Sequence, residues 1–351
     1  MSTSVNSTAA AVDPAAHFVS VLLPIRNEEA HIVQCLNSIQ TNDWPADRME
    51  IIVIDGMSSD RTRAIVSEMA QQDERIRLVD NSHGSVPFAM NIGIRAAKGD
   101  IIIRVDGHAE VTSTFIRHSV EQLVQRPECW CVGGPIESIN ETVIGKIIAA
   151  AMSCPVGVGN SRFRTGNFEG YVDTLAFGAY WKWVFDRVGM FDEELVRNQD
   201  DELNARILEQ GGKIYLSPAI QSRYFPRTSL KKLWRQYYQY GVWRIRTLQK
   251  RGSARLRYLI PMVFVATAIL FLALAVAFPG MRPLTAAFAA IYMAGLLAGA
   301  VMVSRRTGLA GLLVSPVVFA ILHFSYGFGS LFGIIWFGFL RHTTLTHGLS
   351  R

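Results

Sequence analysis

The chain has 351 residues, half of them hydrophobic and only 18% charged, a composition that argues against a wholly soluble protein. Its length allows one large domain, or one domain together with a membrane unit. The net charge of +6 is local, because ten Lys or Arg and no Asp or Glu lie from Arg227 to Arg257. That basic stretch stands just before long apolar runs, so anionic lipid headgroups are favoured over nucleic acid as its partner.

The start of the chain and its four cysteines add little chemistry. Residues 1–17 are small and polar, show no signal peptide, and are predicted to be a disordered tail, which leaves the first domain in the cytoplasm. Cys129 and Cys131 stand too close together for a usual zinc site, and Cys35 and Cys154 do not complete one. Reduced thiols are therefore predicted.

Strands and helices alternate along the first hundred residues. The predicted strands lie at Ser20–Pro24, Glu50–Asp55, Ile76–Val79 and Asp100–Val105. The predicted helices between them lie at Asn27–Ile39, Thr62–Gln72 and Pro87–Ala97. This alternation predicts a layered α/β fold with a mostly parallel sheet. Ligands of such sheets bind beyond the carboxyl ends of the strands, so Asp55 and Asp106 are expected to face one crevice.

Beyond Pro127 the alternation of strands and helices becomes irregular. The segments that follow are expected to form the acceptor side of the crevice. A loop rich in Gly and Arg ends at Gly170, and helices are predicted at Gly145–Met152, Trp183–Val188 and Glu202–Gln210.

Apolar runs follow at Pro261–Phe278, Leu284–Val303 and Leu309–Leu340. The second has about twenty residues, enough to cross a bilayer, and the third is longer than one crossing needs. The positive-inside rule places the loop at 279–283 outside, and Arg305 and Arg306 in the cytoplasm. Three or four transmembrane helices are predicted, in a multi-pass protein of the inner (plasma) membrane.

Polar segments follow the first two strands, at Pro24–Glu29 and Asp55–Thr62. A carboxylate at a strand end can accept hydrogen bonds from a base N–H and from ribose hydroxyls. For Asp55 this ligand role is the favoured interpretation. For Asp60, an N-cap on the next helix is equally open.

Together with Asn91–Asp100, these segments resemble glycosyltransferase family 2 from about Val19 to Tyr224. The resemblance implies a Rossmann-like GT-A fold and a nucleotide-diphosphate sugar as donor. The residues that it places around the nucleotide are Pro24, Arg26, Glu28, Asp55 and Asp106. Together with the basic stretch and the apolar runs, it predicts a GT-A domain at 18–226, a basic aromatic interfacial segment at 227–257, a transmembrane region at 258–340 and a tail at 341–351.

The fourth strand leads into Asp106-Gly-His108. The family carries an Asp-x-Asp motif here that holds a divalent metal on the diphosphate, and His108 replaces its second Asp. Imidazole suits Mn²⁺ better than Mg²⁺, which prefers oxygen ligands. His108 is therefore either a metal ligand beside Asp106 or only part of the crevice wall. The variant motif also resembles bacterial succinoglycan-type glucosyltransferases, which implies UDP-glucose and a β-linkage.

The segment Asn198–Arg206 is similar to the family's Glu-Asp-x-Glu-Leu motif, with Gln199 in place of the first Glu. The resemblance implies that Asp200 is the catalytic base, which takes the proton from the acceptor hydroxyl in an inverting transfer. Asp201 is the alternative base. The competing interpretation is a helix N-terminus enriched in acids because of its dipole.

The stretch Trp234–Arg244 is rich in Tyr, Trp and Arg. Processive members of the family carry Gln-x-x-Arg-Trp here, and Gln236 and Gln239 do not complete that motif, which argues against a long processive channel. An interfacial amphipathic helix is the other interpretation. His323 and Tyr326 stand within an apolar run and are expected to hydrogen-bond between helices.

The sequence thus predicts a membrane-anchored, metal-dependent, inverting hexosyltransferase. It would move a sugar, glucose by resemblance, from a UDP-sugar to a lipid-linked saccharide of a surface or exopolysaccharide. The expected cofactor is Mn²⁺ or Mg²⁺, and the expected partners are the donor, the acceptor and membrane lipids. A transferase that acts on polyprenyl phosphate itself is the nearest alternative, and a non-catalytic membrane scaffold with a nucleotide-binding fold is another.

Overall fold

The structure is a computed structural model that describes residues 16–159, 161–166, 168–225, 229–251 and 256–340. The predicted tails at 1–17 and 341–351 fall almost wholly outside these ranges. The described residues form an α/β domain, a long helix that follows it, and a C-terminal region of apolar helices.

The strands of the described ranges form two sheets. They are β1 Val19–Ile25, β2 Met49–Asp55, β3 Ile76–Asp80, β4 Ile101–Arg104, β5 Ala109–Val111, β6 Cys129–Gly133, β7 Ile136–Ser138, β8 Gly170–Val172, β9 Ala179–Trp181, β10 Lys213–Leu216 and β11 Ser222–Tyr224. The larger sheet has the order β3-β2-β1-β4-β9-β6-β10-β8. Its strands β3, β2, β1 and β4 run parallel, whereas β9 and β8 are antiparallel to their neighbours. The predicted mostly parallel sheet is confirmed.

Strands β1 and β2 are buried along their whole length, as their runs of Val, Ile and Leu require of central strands. β1 continues one residue past Pro24, to Ile25. A proline is tolerated there because the pairing of β4 with β1 already ends at Leu22, so the missing N–H has no ladder partner on that side.

In the described ranges, six helices of the α/β domain lie close to their predicted positions, whereas three others, the fourth, sixth and seventh in chain order, were not predicted. The helices, in chain order, are α1 Ile32–Gln40, α2 Thr62–Gln72, α3 Val86–Ala96, α4 Phe115–Gln125, α5 Val143–Met152, α6 Pro155–Val158, α7 Arg162–Thr165, α8 Trp183–Val188 and α9 Gln199–Glu209. Helix α1 begins later than the predicted Asn27, because Asn27 has a φ of +56° that no right-handed helix accommodates.

The smaller sheet, in the order β5-β11-β7, is absent from the sequence prediction. Each of its strands has only three residues, too few for a two-residue periodicity to stand out. The pairing of β5 with β11 brings the segment that follows β4 next to β11. The ring centroids of His108 and Tyr224 consequently lie 4.9 Å apart.

The apolar region contains α11 Ile260–Ala277, α12 Arg282–Gly333 and a π-helical turn at Ile334–Phe339. Helix α12 is interrupted at Gly308, where φ is +68° and ψ is −158°. Tyr292 Oη and His323 Nδ1 lie 3.1 Å apart although 31 residues separate them along α12. A straight helix of that length would span about 46 Å. Helix α12 therefore folds back on itself at Gly308 and forms a hairpin.

Two helical stretches are long and apolar enough to cross a bilayer, Ile260–Ala277 and Pro279–Phe339. Only 6% and 22% of their most apolar windows are buried, which is unlike the core helices of a soluble domain. These stretches indicate membrane association. The prediction of three or four separate crossings in a multi-pass arrangement is not supported, because the described ranges contain two candidate spans, the second of which bends back at Gly308.

The long helix α10 Leu230–Arg251 packs closely along α12 through glycines. A methyl group at Gly329 would lie 2.1 Å from the backbone oxygen of Tyr238. Gly329→Ala is therefore expected to destabilise the folded protein by about 1–3 kcal/mol through overpacking, measured as a lower unfolding temperature in nanodiscs. Gly295→Ala is the control on the same helix, since its methyl group would meet nothing within 4 Å. Equal unfolding temperatures for the two variants would contradict this packing.

Candidate active site

The carboxyl ends of the neighbouring strands β2, β1 and β4 open onto one cavity of about 1250 Å³. Parallel strands bring the loops that follow them to the same edge of the sheet. Seven of the predicted site residues line this cavity, namely Pro24, Arg26, Glu28, Asp106, His108, Asp200 and Asp201. The fold thus brings two acidic clusters together, one with Glu28 and Asp106 at the strand ends and one with Asp200, Asp201 and Glu202 at the start of α9.

The loop after β1 is held against the loop after β2 by hydrogen bonds in both directions. Ser59 N donates to Asn27 Oδ1 at 2.8 Å, and Glu28 N donates to Thr62 Oγ1 at 2.8 Å. These bonds hold Asn27 in its left-handed conformation. They also fix the backbone from which Arg26 and Glu28 reach the cavity.

Asp55 and Asp60 accept hydrogen bonds within the loop that follows β2. Asp55 is fully buried, and its carboxylate accepts hydrogen bonds from Ser58 N at 3.0 Å and Arg63 Nη1 at 2.8 Å. Asp60 accepts bonds from Thr62 N at 3.0 Å and Thr62 Oγ1 at 2.5 Å, but the N-cap position of α2 is Arg61, so Asp60 lies one residue before the cap. Asp55 is not part of the cavity wall. A ligand role for it requires this network to open, and stays a prediction.

Asp106 and His108 lie on the cavity wall as candidate ligands of a divalent metal. Glu28 Oε1 lies 2.8 Å from His108 Nδ1, a carboxylate contact that orients the ring so that Nε2 would be the ligating atom. Arg104 contacts Asp106 only through Oδ1, at 2.9 Å. Across the described ranges, no group of three or more His, Cys, Asp or Glu is placed to hold a metal. The pair therefore fits a metal that completes its coordination with diphosphate oxygens and water.

Arg104 joins the two acidic clusters. Its side chain is buried at the end of β4, and its guanidinium contacts both Asp106 and Asp200. Burial raises the pKa of Asp200 to about 6; Arg104 opposes this shift, while Asp106 and Asp201 add to it. A carboxylate with a pKa this close to the operating pH is suited to general-base catalysis.

This pKa predicts how the rate of a reaction that uses Asp200 as base depends on pH. A base works in its unprotonated form, so activity is fully present above the raised pKa and is lost as the pH falls through it. We expect kcat/KM to fall about tenfold per pH unit below about pH 6. The profile is measured between about pH 5 and 8. A rate that stays constant down to pH 5 would show that no such group acts as base.

Asp201 is tied to the apolar region through Arg244, which is buried on α10. The guanidinium of Arg244 contacts Asp201 Oδ2, and its Nε lies 3.2 Å from Tyr326 Oη on α12. Thr174 Oγ1 donates to Asp201 Oδ1 at 2.5 Å. Both carboxylate oxygens of Asp201 are thus engaged, whereas Arg104 holds Asp200 through Oδ1. This difference favours Asp200 as the base.

Arg104 and Arg244 are functional candidates that the sequence patterns did not identify. Both are buried cations, and a buried charge requires a partner. That requirement is the signal that could have found them. Glu202, the third acid of its cluster, instead pairs with Arg206 and Arg251 and does not line the cavity.

The cavity continues from the carboxylates to the apolar helices. Its wall there consists of Ile260, Pro261, Phe264, Tyr292, Leu322, His323 and Tyr326. His323 hydrogen-bonds to Tyr292 and, through Nε2, to Val156 O at 2.7 Å. The volume exceeds the roughly 300–1000 Å³ of ordinary small-molecule sites. It has room for two reactants, one of them against an apolar wall.

Comparisons with known proteins agree with this geometry. The sequence model of the family described as Glycosyl transferase family 2 matches residues 20–181. The chain is 28% identical over 321 residues to dolichyl N-acetyl-alpha-D-glucosaminyl phosphate 3-beta-D-2,3-diacetamido-2,3-dideoxy-beta-D-glucuronosyltransferase of Methanococcus voltae, covering 89% of this chain and 96% of that protein. It is 26% identical over 251 residues to the succinoglycan biosynthesis protein ExoA of Rhizobium meliloti (strain 1021), covering 71% and 76%.

Two solved structures share the fold. The mannosyltransferase PcManGT from Pyrobaculum calidifontis, in complex with GDP-Man and Mn²⁺, has a TM-score of 0.57 at 20% identity and covers 92% of this chain and 88% of its own. Residues 1–349 of S. aureus TarS have a TM-score of 0.51 at 14% identity, with 91% of each chain covered. At such identities the likeness concerns the fold alone.

Proposed function

We propose that the chain is a membrane-associated, inverting glycosyltransferase of family 2, because the model of that family matches residues 20–181 and the chain has a GT-A fold. It would move a sugar from a nucleotide-diphosphate sugar to a lipid-linked saccharide during polysaccharide synthesis. The names of two relatives support this reaction class. One acts on a dolichyl-linked sugar phosphate, and the other serves succinoglycan biosynthesis.

One observation carries the proposal: a single cavity joins the strand ends of the α/β domain to the apolar helices. A soluble donor can enter at the strand ends, where polar side chains lie. A lipid-linked acceptor can enter along the apolar wall. The two carboxylates of α9 lie on the wall of the same cavity, where both reactants would meet.

The donor would lie against Pro24, Arg26 and Glu28, with its diphosphate next to Asp106 and His108. A divalent cation held by Asp106 and His108 would stabilise the negative charge of the leaving diphosphate. Glu28 supports this arrangement because its carboxylate fixes the His108 ring. UDP-glucose remains the predicted donor.

Asp200 would act on the acceptor. The acceptor hydroxyl oxygen bonds to the anomeric carbon while the bond from that carbon to the diphosphate breaks on the opposite face, and the hydroxyl proton passes to Asp200. Arg104 holds Asp200 by Oδ1 and so presents the other carboxylate oxygen for this proton. Inversion at the anomeric carbon follows from the single displacement.

The test uses the purified protein in nanodiscs with radiolabelled UDP-glucose, UDP-glucuronic acid or GDP-mannose, and with Mn²⁺ or Mg²⁺. We expect one donor to label a lipid-linked oligosaccharide, and a chelator to stop the labelling. Label on bare polyprenyl phosphate would favour the alternative acceptor, and a polymer would indicate a processive synthase. Absence of transfer from every donor would favour a non-catalytic scaffold.

A further inference from the structure

The cavity has an excess of positive charge. Eight Lys or Arg line it against five Asp or Glu. The cations are Arg26, Arg104, Arg162, Arg164, Arg197, Lys232, Arg235 and Arg244, and the acids are Glu28, Asp106, Asp173, Asp200 and Asp201. A cavity with this balance is suited to anionic ligands.

Four of these cations are not neutralised by the acids. Arg104 and Arg244 are paired with carboxylates, but in the part of the chain that the structure describes Arg162, Arg164, Arg197 and Lys232 have no carboxylate within salt-bridge distance. The guanidinium carbon of Arg162 lies 3.8 Å from the centre of the Phe168 ring. Arg197 donates to the neutral side-chain oxygen of Gln239 at 3.3 Å. Such contacts hold guanidinium groups without cancelling their charge.

These cations belong to three segments that line the same cavity as the candidate base. Arg162 and Arg164 are on α7, Lys232 is on α10, and Arg197 stands three residues before Asp200. Helices α7 and α10 both contribute to the cavity wall, the first through Arg162 and Arg164 and the second through Lys232 and Tyr237. Burial raises the pKa of Tyr237 to about 12, and the positive charge of Arg164 opposes that shift.

The apolar wall adjoins helix α10, because Tyr237 of α10 and Leu322 of α12 belong to one hydrophobic cluster. Helix α10 turns one face to the cavity, with Lys232, Gln236 and Gln239 at helical spacing. Beyond it lie Ile260 and Phe264 of α11. A ligand that is anionic at one end and apolar at the other fits this sequence of surfaces.

We propose that Arg162, Arg164, Arg197 and Lys232 bind the phosphate or diphosphate of an isoprenoid-type lipid acceptor, whose chain lies along α11 and α12. This inference rests on the proposed function and assigns a site within it. The donor diphosphate has its own place at Asp106 and His108. A lipid phosphate held at α7 and α10 would leave the saccharide to extend towards Asp200.

The test measures binding without sugar transfer, so it can fail independently of the proposed function. The protein in detergent is titrated with farnesyl diphosphate, farnesol, inorganic pyrophosphate and UDP with Mn²⁺. We expect farnesyl diphosphate to bind more tightly than farnesol or pyrophosphate. Arg162→Gln/Arg164→Gln should weaken its binding about tenfold or more and leave the Kd of UDP unchanged, because charge-assisted hydrogen bonds to the lipid phosphate are lost.

Lys232→Gln should weaken binding of farnesyl diphosphate by a smaller factor, because Lys232 is exposed. Its matched control is Lys231→Gln, which removes an adjacent exposed charge that does not line the cavity. An unchanged Kd for farnesyl diphosphate in the double variant would overturn the proposal. So would equal binding of farnesol, or a parallel loss of UDP affinity, which would assign these cations to the donor. Binding as expected in a protein that transfers no sugar would overturn only the proposed reaction.

Discussion

Replacing Asp200 by Asn is expected to lower kcat for sugar transfer by about 10²–10⁴-fold, the usual contribution of a general base. The amide keeps the shape of the side chain and can still accept a hydrogen bond from Arg104, so the donor should bind as before. The measurement is kcat and the donor KM with saturating acceptor. A fall in kcat with an unchanged donor KM identifies a group that acts on the acceptor.

Asp201→Asn is the matched control, one residue further along α9. Both oxygens of Asp201 are engaged, by Arg244 and Thr174, so this variant should disturb the contact between α9 and α10 more than the chemistry. We expect a smaller loss of kcat than in Asp200→Asn. The reverse order, with Asp200→Asn active and Asp201→Asn inactive, would assign the base to Asp201.

Replacing Arg104 by Met is expected to destabilise the folded protein by about 3–5 kcal/mol, because it leaves two partly buried carboxylates without their cation. The measurement is the free energy of unfolding above pH 7, where both carboxylates are ionised. Adding Asp200→Asn to Arg104→Met should restore part of the stability, since one of the two unpaired charges is then removed.

Arg117→Met is the control for loss of an arginine, because its partners Asp43 and Glu121 are on the surface. Solvent screens such pairs, so stability should change little. If Arg104→Met were as stable as Arg117→Met, the bridge between the acidic clusters would be absent in solution.

The sequence was most informative where the pattern was longest. Strands β1, β2 and β4 consist mostly of apolar residues and end in polar loops, and together with β3 they lie where they were predicted. The smaller sheet was missed because three-residue strands are fixed by tertiary pairing rather than by local pattern. The start of α1 was misplaced because the loop between Asn27 and Glu29 is fixed by bonds to a loop some thirty residues away.

The candidate site was predicted as a set of residues but not as a network. Motifs identified Asp106 and Asp200, and the fold brings both to one cavity. No local pattern shows that Arg104 contacts both, because Arg104 and Asp200 are 96 residues apart along the chain. Asp55 shows the opposite case. Its position at a strand end suggested a ligand, whereas its carboxylate is held by Ser58 and Arg63.

The apolar region was predicted by composition and misread in its connections. Runs of apolar residues locate the helices, but a hydropathy pattern does not show that α12 passes through Gly308 without a conventional loop. Contacts between Tyr292 and His323 reveal the hairpin. The same hairpin carries Tyr326 to Arg244, so the apolar helices contribute directly to the surroundings of Asp201.

The most direct test of the account is the structure of the product formed in nanodiscs from an α-linked nucleotide sugar and a lipid-linked oligosaccharide. NMR of the purified product determines the configuration of the new linkage and the position of the added sugar. We expect one added sugar in β-configuration on the lipid-linked saccharide, and none with Asp200→Asn. An α-linkage, or sugar released only into water, would contradict this expectation.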